Sequence, residues 1–283
     1  MLTLHNPVLL QLITGLALST IIAVLAHRRR ALTSGGAVGA ILVGTITFGF
    51  GGWVWGLVLF AFFTLSSALS HYRQRQKEAV ADKFQKGSRR DLAQVLANGG
   101  LAALLSFLYY LDPHPALLAA FLGAMATVNA DTWGTEIGIL SPDQPRLITS
   151  GRKVPTGTSG GVTLLGTAAS AMGGVFIGLL GYLLLCSESV LRGTNPLRLS
   201  WVIPAALVGG LLGSLFDSLL GATVQGIYYC ARCGVETERV LHSCGLRTSH
   251  LRGLRRLNND QVNFVSSLFG ALVAIALWGV IGA

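Results

Sequence analysis

The chain has 283 residues, of which 52% are hydrophobic and only 12% charged, and its formal net charge is +9. This composition is typical of an integral membrane protein and excludes an ordinary water-soluble domain. The positive charge indicates membrane topology and attraction for anionic lipids or phosphorylated substrates, and it does not favour nucleic-acid binding.

Apolar runs long enough to span a bilayer predict eight transmembrane helices. The second run is short and rich in glycine, and the segment GFGGW leaves only a tight turn before the third. The sequence therefore predicts an all-α fold, a polytopic helical membrane bundle, formed as a single domain over residues 1–283. The predicted helices cover residues 8–26, 37–51, 53–70, 93–111, 115–131, 162–186, 201–221 and 263–282.

Basic residues mark one side of this bundle. Short basic loops remain in the cytoplasm, so the stretches that carry them are predicted to be cytoplasmic and both termini to lie outside. The first helix lacks the basic start and cleavage site of a signal peptide, which favours a retained helix. We expect a bacterial inner membrane. The stretches 27–36, 71–92, 131–161 and 222–260 hold 19 of the 21 Lys and Arg residues.

Four acidic residues lie at predicted inner ends of helices, where a buried charge is costly unless it is paired or bound to a metal. They are Asp131, Glu136, Asp217 and Asp260. Carboxylates that reach one depth from separate helices are typical ligands of Mg²⁺, which also retains water and substrate phosphates. The alternative is that each acid caps a helix or pairs with a loop arginine. Their polar neighbours complete the predicted site: Asn129, Thr132, Ser218, Gln225, Asn259 and Asn263.

A glycine-rich stretch, SGRKVPTGTSGGV (150–162), precedes the sixth predicted helix. Its hydroxyl residues are candidate helix caps, its glycines let backbone amides converge, and Arg152 and Lys153 add charge. These features are typical of a phosphate site at a helix N-terminus, and a simple helix cap is the alternative. The pattern of a soluble P-loop protein is absent from the sequence. The predicted phosphate-binding residues here are Thr156, Gly157, Thr158, Ser159, Gly160 and Gly161.

The last predicted inner loop, residues 226–258, contains a Cys/His pattern. Its CxxCG segment is half of a zinc knuckle, and four such ligands would close the coordination sphere of a structural Zn²⁺. We therefore predict a small cytoplasmic zinc-knuckle-like insert. Redox-active or free thiols are one alternative, and His250 in place of His242 is another. The candidate ligands are Cys230, Cys233, His242 and Cys244.

Five motifs follow one another along the chain: NADTWGTEIG, RKVPTGTSGGV, DSLLGATVQ, the CxxCG…HxCG insert and RRLNNDQVN. In their order and spacing, the chain closely resembles the membrane family long called domain of unknown function ninety-two. That family includes the transmembrane-protein-nineteen group and the phytyl-phosphate kinase of vitamin E biosynthesis. The resemblance implies transfer of a phosphoryl group from a nucleoside triphosphate, with CTP as the expected donor, to an isoprenyl monophosphate such as phytyl phosphate.

For such a transfer, the protein must position two polyanions and neutralise their charge. The phosphates are expected to contact Arg152, Lys153 and the loop amides. Expected partners are the lipid bilayer, the isoprenyl monophosphate and the nucleoside triphosphate, and a homodimer is left open. An ion-coupled transporter of a phosphorylated or anionic solute is the alternative, because carriers also place acids at helix ends. The expected catalytic residues are Asp131, Glu136, Asp217 and Lys153, and Mg²⁺ is expected on those three acids with Asp260.

Overall fold

The computed structural model describes residues 7–77, 82–86, 89–193 and 199–282. Its helices are α1 (Pro7–Arg28), α2 (Ser34–His71), α3 (Gln74–Lys77), α4 (Leu92–Leu111), α5 (Pro115–Gly138), α6 (Leu164–Leu191), α7 (Val202–Thr223) and α8 (Asn259–Ile281). Within the described ranges, six helices, α1, α2, α4, α6, α7 and α8, are long and apolar enough to cross a membrane. The predicted polytopic helical bundle is thus confirmed.

The predicted second and third helices are the two halves of α2, which is broken at Gly52. This residue has φ 80° and ψ −171°, a left-handed conformation that interrupts the helix and favours glycine. Both ends of α2 then meet Arg90: its carbonyl oxygen accepts from the Thr33 amide at 2.9 Å, and its guanidinium donates to Ser67 at 3.2 Å. The chain therefore reverses at Gly52, in agreement with the predicted tight turn.

The central helix of the bundle is α5, whose residues 118–130 are all buried. It packs against α4, α6, α7 and α8. Glycines allow the close approach, since a Cβ atom on Gly210 of α7 would lie 3.0 Å from Ala126. Because protein rather than lipid surrounds α5, this helix can carry Asn129 and Asp131 in its second half.

Several helix boundaries differ from the prediction, two of them beside predicted site residues. The predicted fifth helix ends at Asp131, but α5 continues to Gly138, so Glu136 is also helical. The last helix begins at Asn259 because the Asn258 side chain caps it. The reason for both errors is that hydropathy marks where lipid contact ends, whereas the helical hydrogen bonds continue through polar turns.

Two small sheets lie outside the helices. β1 (Arg146–Leu147) pairs antiparallel with β2 (Gly161–Val162). β3 (Ile227–Cys230), β4 (Val235–Thr237) and β5 (Ser249–Arg252) form an antiparallel sheet in the order β4-β3-β5, and this sheet lies within the insert, residues 226–258.

The residues predicted to cap the N-terminus of α6 do not do so. Thr163 caps this helix by accepting a hydrogen bond from the Gly166 amide at 2.9 Å. Thr156, Thr158 and Ser159 do not cap it, because β2 separates them from the helix start.

Candidate functional site

A cavity of about 470 Å³ opens at one end of the bundle. It is lined by the last turns of α2, α5 and α7 and by the first turns of α4, α6 and α8. Lys77 of α3 and Arg90 also line it, and so do residues of three further segments: the strap (residues 82–86), the glycine-rich loop (residues 156–161) and the insert, which contributes Glu238. Helix ends of alternating direction therefore meet at one face, as expected for a chain that crosses the bundle back and forth.

Most of the predicted site residues line this single cavity. The four acids reach it from α5, α7 and α8. Asp131, Asp217 and Glu238 thus bring three carboxyl groups to one space. The predicted residues that line the cavity are Asp131, Thr132, Glu136, Thr156, Gly157, Thr158, Ser159, Gly160, Gly161, Asp217, Ser218, Gln225, Asn259, Asp260 and Asn263.

Two of the four acids are paired with lysines. The Glu136 carboxylate contacts Lys77 Nζ at 2.5 Å and accepts a hydrogen bond from Ser70 at 2.6 Å. Asp260 Oδ2 lies 2.5 Å from Lys86 Nζ. The pairing alternative raised by the sequence therefore applies to these two acids, although their cation partners differ from the predicted loop arginines.

The other two acids are not neutralised in this way. Among the described residues, neither Asp131 nor Asp217 forms a salt bridge. Asp217 Oδ2 and Asp260 Oδ1 are buried without a hydrogen-bond partner in the described structure. Unpartnered carboxylate oxygens facing one cavity are the donor type that a hard divalent cation such as Mg²⁺ prefers.

The glycine-rich loop forms part of the cavity wall and packs against the end of α7. Gly160 has φ 82°, and a Cβ atom there would lie 2.6 Å from the Ala222 backbone of α7, so the close approach requires glycine. The amides of Thr158 and Gly161 already donate to carbonyl oxygens of the same turn, those of Pro155 and Thr158. Only some of the backbone amides that were predicted to bind phosphate therefore remain available to a ligand.

Three predicted residues lie away from the cavity lining. Arg152 and Lys153 are exposed on the turn between β1 and the glycine-rich loop. Asn129 is fully buried, and its Nδ2 donates to the Gly173 carbonyl oxygen of α6 at 2.8 Å. Asn129 therefore joins two helices, and the basic pair faces solvent because the β1–β2 ladder turns it outward.

The cations of the cavity are residues that the sequence assigned only to topology. Lys77, Lys86 and Arg90 all line it, and all three come from the predicted basic loop 71–92. Burial lowers the pKa of Arg90 to about 10, so its guanidinium remains charged at neutral pH. Glu238 lies in the predicted inner loop 226–258 and was likewise not predicted as a site residue. No local pattern separates these residues from their charged neighbours, so sequence reasoning missed them.

The Cys/His residues of the insert form a candidate metal-binding group. One ligand atom from each of the four lies within 4.8 Å of the others, and Cys230 Sγ is 3.6 Å from Cys244 Sγ. His242 Nε2 is buried without a hydrogen-bond partner among the described residues. His250 instead contacts the Gly253 carbonyl oxygen at 3.0 Å, so His242 is the histidine of this group.

Known proteins are similar to the chain along nearly its whole length. The family model described as integral membrane protein DUF92 matches residues 17–271. Protein PGR of Arabidopsis thaliana is 34% identical over 272 residues, which cover 91% of this chain and 93% of that protein. An uncharacterised membrane protein of Methanocaldococcus jannaschii is 30% identical over 271 residues, 95% of each chain. Protein VTE6, chloroplastic, of Arabidopsis thaliana is 24% identical over 251 residues, covering 87% of this chain and 65% of that protein. No solved structure gives a significant match.

Proposed function

Because the chain belongs to the integral membrane protein family DUF92, we propose that it is a kinase that transfers a phosphoryl group from a nucleoside triphosphate to a prenyl monophosphate. The family includes the phytyl-phosphate kinase of vitamin E biosynthesis. In its finer form, the proposal takes CTP as donor, phytyl phosphate as acceptor and a bacterial inner membrane as location. The cavity would then face the cytoplasm, because the basic loops share its side of the bundle.

The observation that carries this proposal is the mixture of charges in one cavity. Asp131 and Asp217 provide carboxylates without ion-pair partners among the described residues, while Lys77 and Lys86 line the same space. A cavity for a single anionic solute needs only the cations. A cavity for two polyanions that must approach each other also needs acids that hold a divalent cation between them.

The free carboxylate oxygens fit such a cation. Asp131, Asp217 and Oδ1 of Asp260 would hold Mg²⁺, because they offer oxygen donors that line one partly buried cavity. When bound, the ion neutralises the phosphates and withdraws charge from the transferring group. Glu136 takes a different role from the predicted one: it holds Lys77 in the cavity.

The residues of the chain would supply position and charge for the transfer. Lys77, Lys86, Arg90 and the glycine-rich loop would bind the phosphates of donor and acceptor. An acceptor phosphate oxygen attacks the terminal phosphorus of the triphosphate, the bond from that phosphorus to the bridging oxygen breaks, and a nucleoside diphosphate leaves with the electron pair. The acceptor is already anionic, so no general base is needed, and no histidine occurs among the described residues of the lining.

The prenyl tail has a route from the cavity to the lipid along α7. Leu215 lines the cavity, and Leu212 and Leu219 are 41% and 38% exposed on the outside of the bundle. Residues three and four positions apart share one helix face, so these leucines form an apolar path between the two environments. We propose that the tail lies along it while its phosphate remains in the cavity.

For the insert, we propose a structural Zn²⁺ ion. Three cysteines and one histidine are a common zinc ligand set, and four protein ligands leave no open coordination position. The unpartnered His242 Nε2 agrees with this assignment.

Asp131→Asn tests the proposed transfer. The assay uses purified protein in detergent, Mg²⁺, radiolabelled CTP or ATP, and phytyl, geranylgeranyl and farnesyl monophosphates. We expect transfer to fall at least about a hundredfold, because a charge that acts on the transferring group is lost, while melting temperature is kept. The matched control is Asp143→Asn, an exposed loop acid. Loss of folding in Asp131→Asn would favour a structural role. If no nucleotide stabilises the wild type in Mg²⁺, the transporter alternative is favoured.

A further inference from the structure

The insert is fastened to the strap by hydrogen bonds on both sides of Glu238. Thr237 Oγ1 donates to the Asp82 carbonyl oxygen at 2.7 Å. Arg239 Nε donates to the Phe84 carbonyl oxygen at 2.8 Å. The backbone of the strap therefore depends on the insert for its position.

Glu238 makes the central contacts of this junction. Its amide donates to the Lys83 carbonyl oxygen at 2.8 Å. Its carboxylate accepts from the Gln85 amide at 3.1 Å and from Gln225 Nε2 at 2.8 Å. Burial raises the pKa of Glu238 above its ordinary value. A half-buried carboxylate that contacts only neutral donors is costly, so its position at this junction indicates a specific role.

The junction extends to the rest of the cavity wall. Ser159 of the glycine-rich loop donates to Gln225 Oε1 at 3.1 Å. Lys83 Nζ donates to the Thr156 carbonyl oxygen at 2.6 Å. The strap ends in Lys86, which lines the cavity. Insert, strap and glycine-rich loop therefore hold one another through Glu238 and its neighbours.

The candidate metal ligands lie on either side of Glu238 in the sequence. Cys230 and Cys233 precede β4, and His242 and Cys244 follow it. An ion bound by all four closes a loop that contains β4 and Glu238. Closing this loop removes many conformations of the segment, so metal binding favours the observed one.

We infer that Glu238 is a positioning residue that sets the strap, and with it Lys86, over the cavity, and that metal binding by the four ligands keeps Glu238 in place. The consequence for catalysis rests on the proposed function. The consequence for the strap does not, because the position of the strap is measurable without any substrate.

Cys233→Ser tests the role of the metal, with Cys186→Ser on α6 as the matched control. Metal content is measured by atomic absorption, and trypsin cleavage after Lys83 and Lys86 is located by mass spectrometry. We expect Cys233→Ser to lose the metal and to be cleaved at the strap about tenfold faster, since cleavage follows the population of the open form. Cys186→Ser should match the wild type. Metal loss without faster cleavage, or a wild type without metal, would overturn the coupling.

Glu238→Gln tests the carboxylate, with the exposed Glu236→Gln as its matched control. An amide accepts from only one of the two donors, so strap cleavage should rise about tenfold while the metal content stays that of wild type. In the transfer assay, KM for the triphosphate should rise with a smaller change in kcat, and Glu238→Asp should recover part of it. Unchanged strap cleavage in Glu238→Gln would refute the inference. A protein that shows this cleavage pattern but no transfer would refute only the proposed function.

Discussion

Asp217→Asn should make the protein more stable when no divalent cation is present. In the wild type, Asp217 Oδ2 is buried without a hydrogen-bond partner among the described residues, and Asp131 and Glu238 add further negative charge. A buried polar group left unsatisfied costs about 1–3 kcal/mol, and more when it is charged. Removing the charge should therefore stabilise the protein by about 2 kcal/mol, which corresponds to a rise of roughly 5 °C in melting temperature.

When Mg²⁺ is present, the wild type should instead be more stable than Asp217→Asn. At about a hundred times its Kd, a bound ion adds about 2.7 kcal/mol to the stability of the wild type, and the asparagine variant should gain little. The assay is thermal unfolding in detergent, in EDTA and in MgCl₂, with the exposed Asp143→Asn as control. An Asp217→Asn protein that melts below the wild type in EDTA would show that the carboxylate is a structural group. Equal stabilisation of both proteins by Mg²⁺ would remove Asp217 from the metal site.

Three further results are expected. Lys77→Gln should raise KM for the triphosphate about tenfold or more, because a charged partner of the phosphates is lost, and it should also lower the melting temperature. The double variant with Glu136→Gln should recover the melting temperature but not KM. If kinetics show a wild-type KM for Lys77→Gln, Lys77 does not belong to the site. Arg152→Gln and Lys153→Gln should each change KM by less than about twofold, since both side chains are exposed outside the cavity lining; a larger kinetic effect would place the predicted pair in the site after all. Burial raises the pKa of Glu238 above 4.5, so the folded protein resists ionisation of this carboxyl group. The melting temperature of the wild type relative to that of Glu238→Gln should therefore fall as pH rises above 4.5 towards the raised pKa. A difference in melting temperature that does not change with pH would contradict this.

Hydropathy and the placement of cations were enough to predict the bundle and the face at which its acids meet. A helix that enters at one side of a bilayer must leave at the other, so the helix order determines which ends share a face. Asp131, in the second half of α5, and Asp217, in the second half of α7, were therefore predictable neighbours, and Asp260 at the start of α8 joins them. The break at Gly52 was predictable for the same reason, because only a reversal there keeps the basic loops on one side.

The partners of those acids were decided by the tertiary structure alone. Whether a loop cation reaches the cavity depends on the path of the loop, and that path is set by distant contacts. Lys86 lines the cavity because Glu238, which is more than a hundred residues away in the chain, holds the strap in place. Lys153 points outward because of the short β1–β2 ladder. Hydropathy is a property of segments and predicts where helices lie in the membrane. The direction of a single side chain arises from packing between segments, which no local pattern contains.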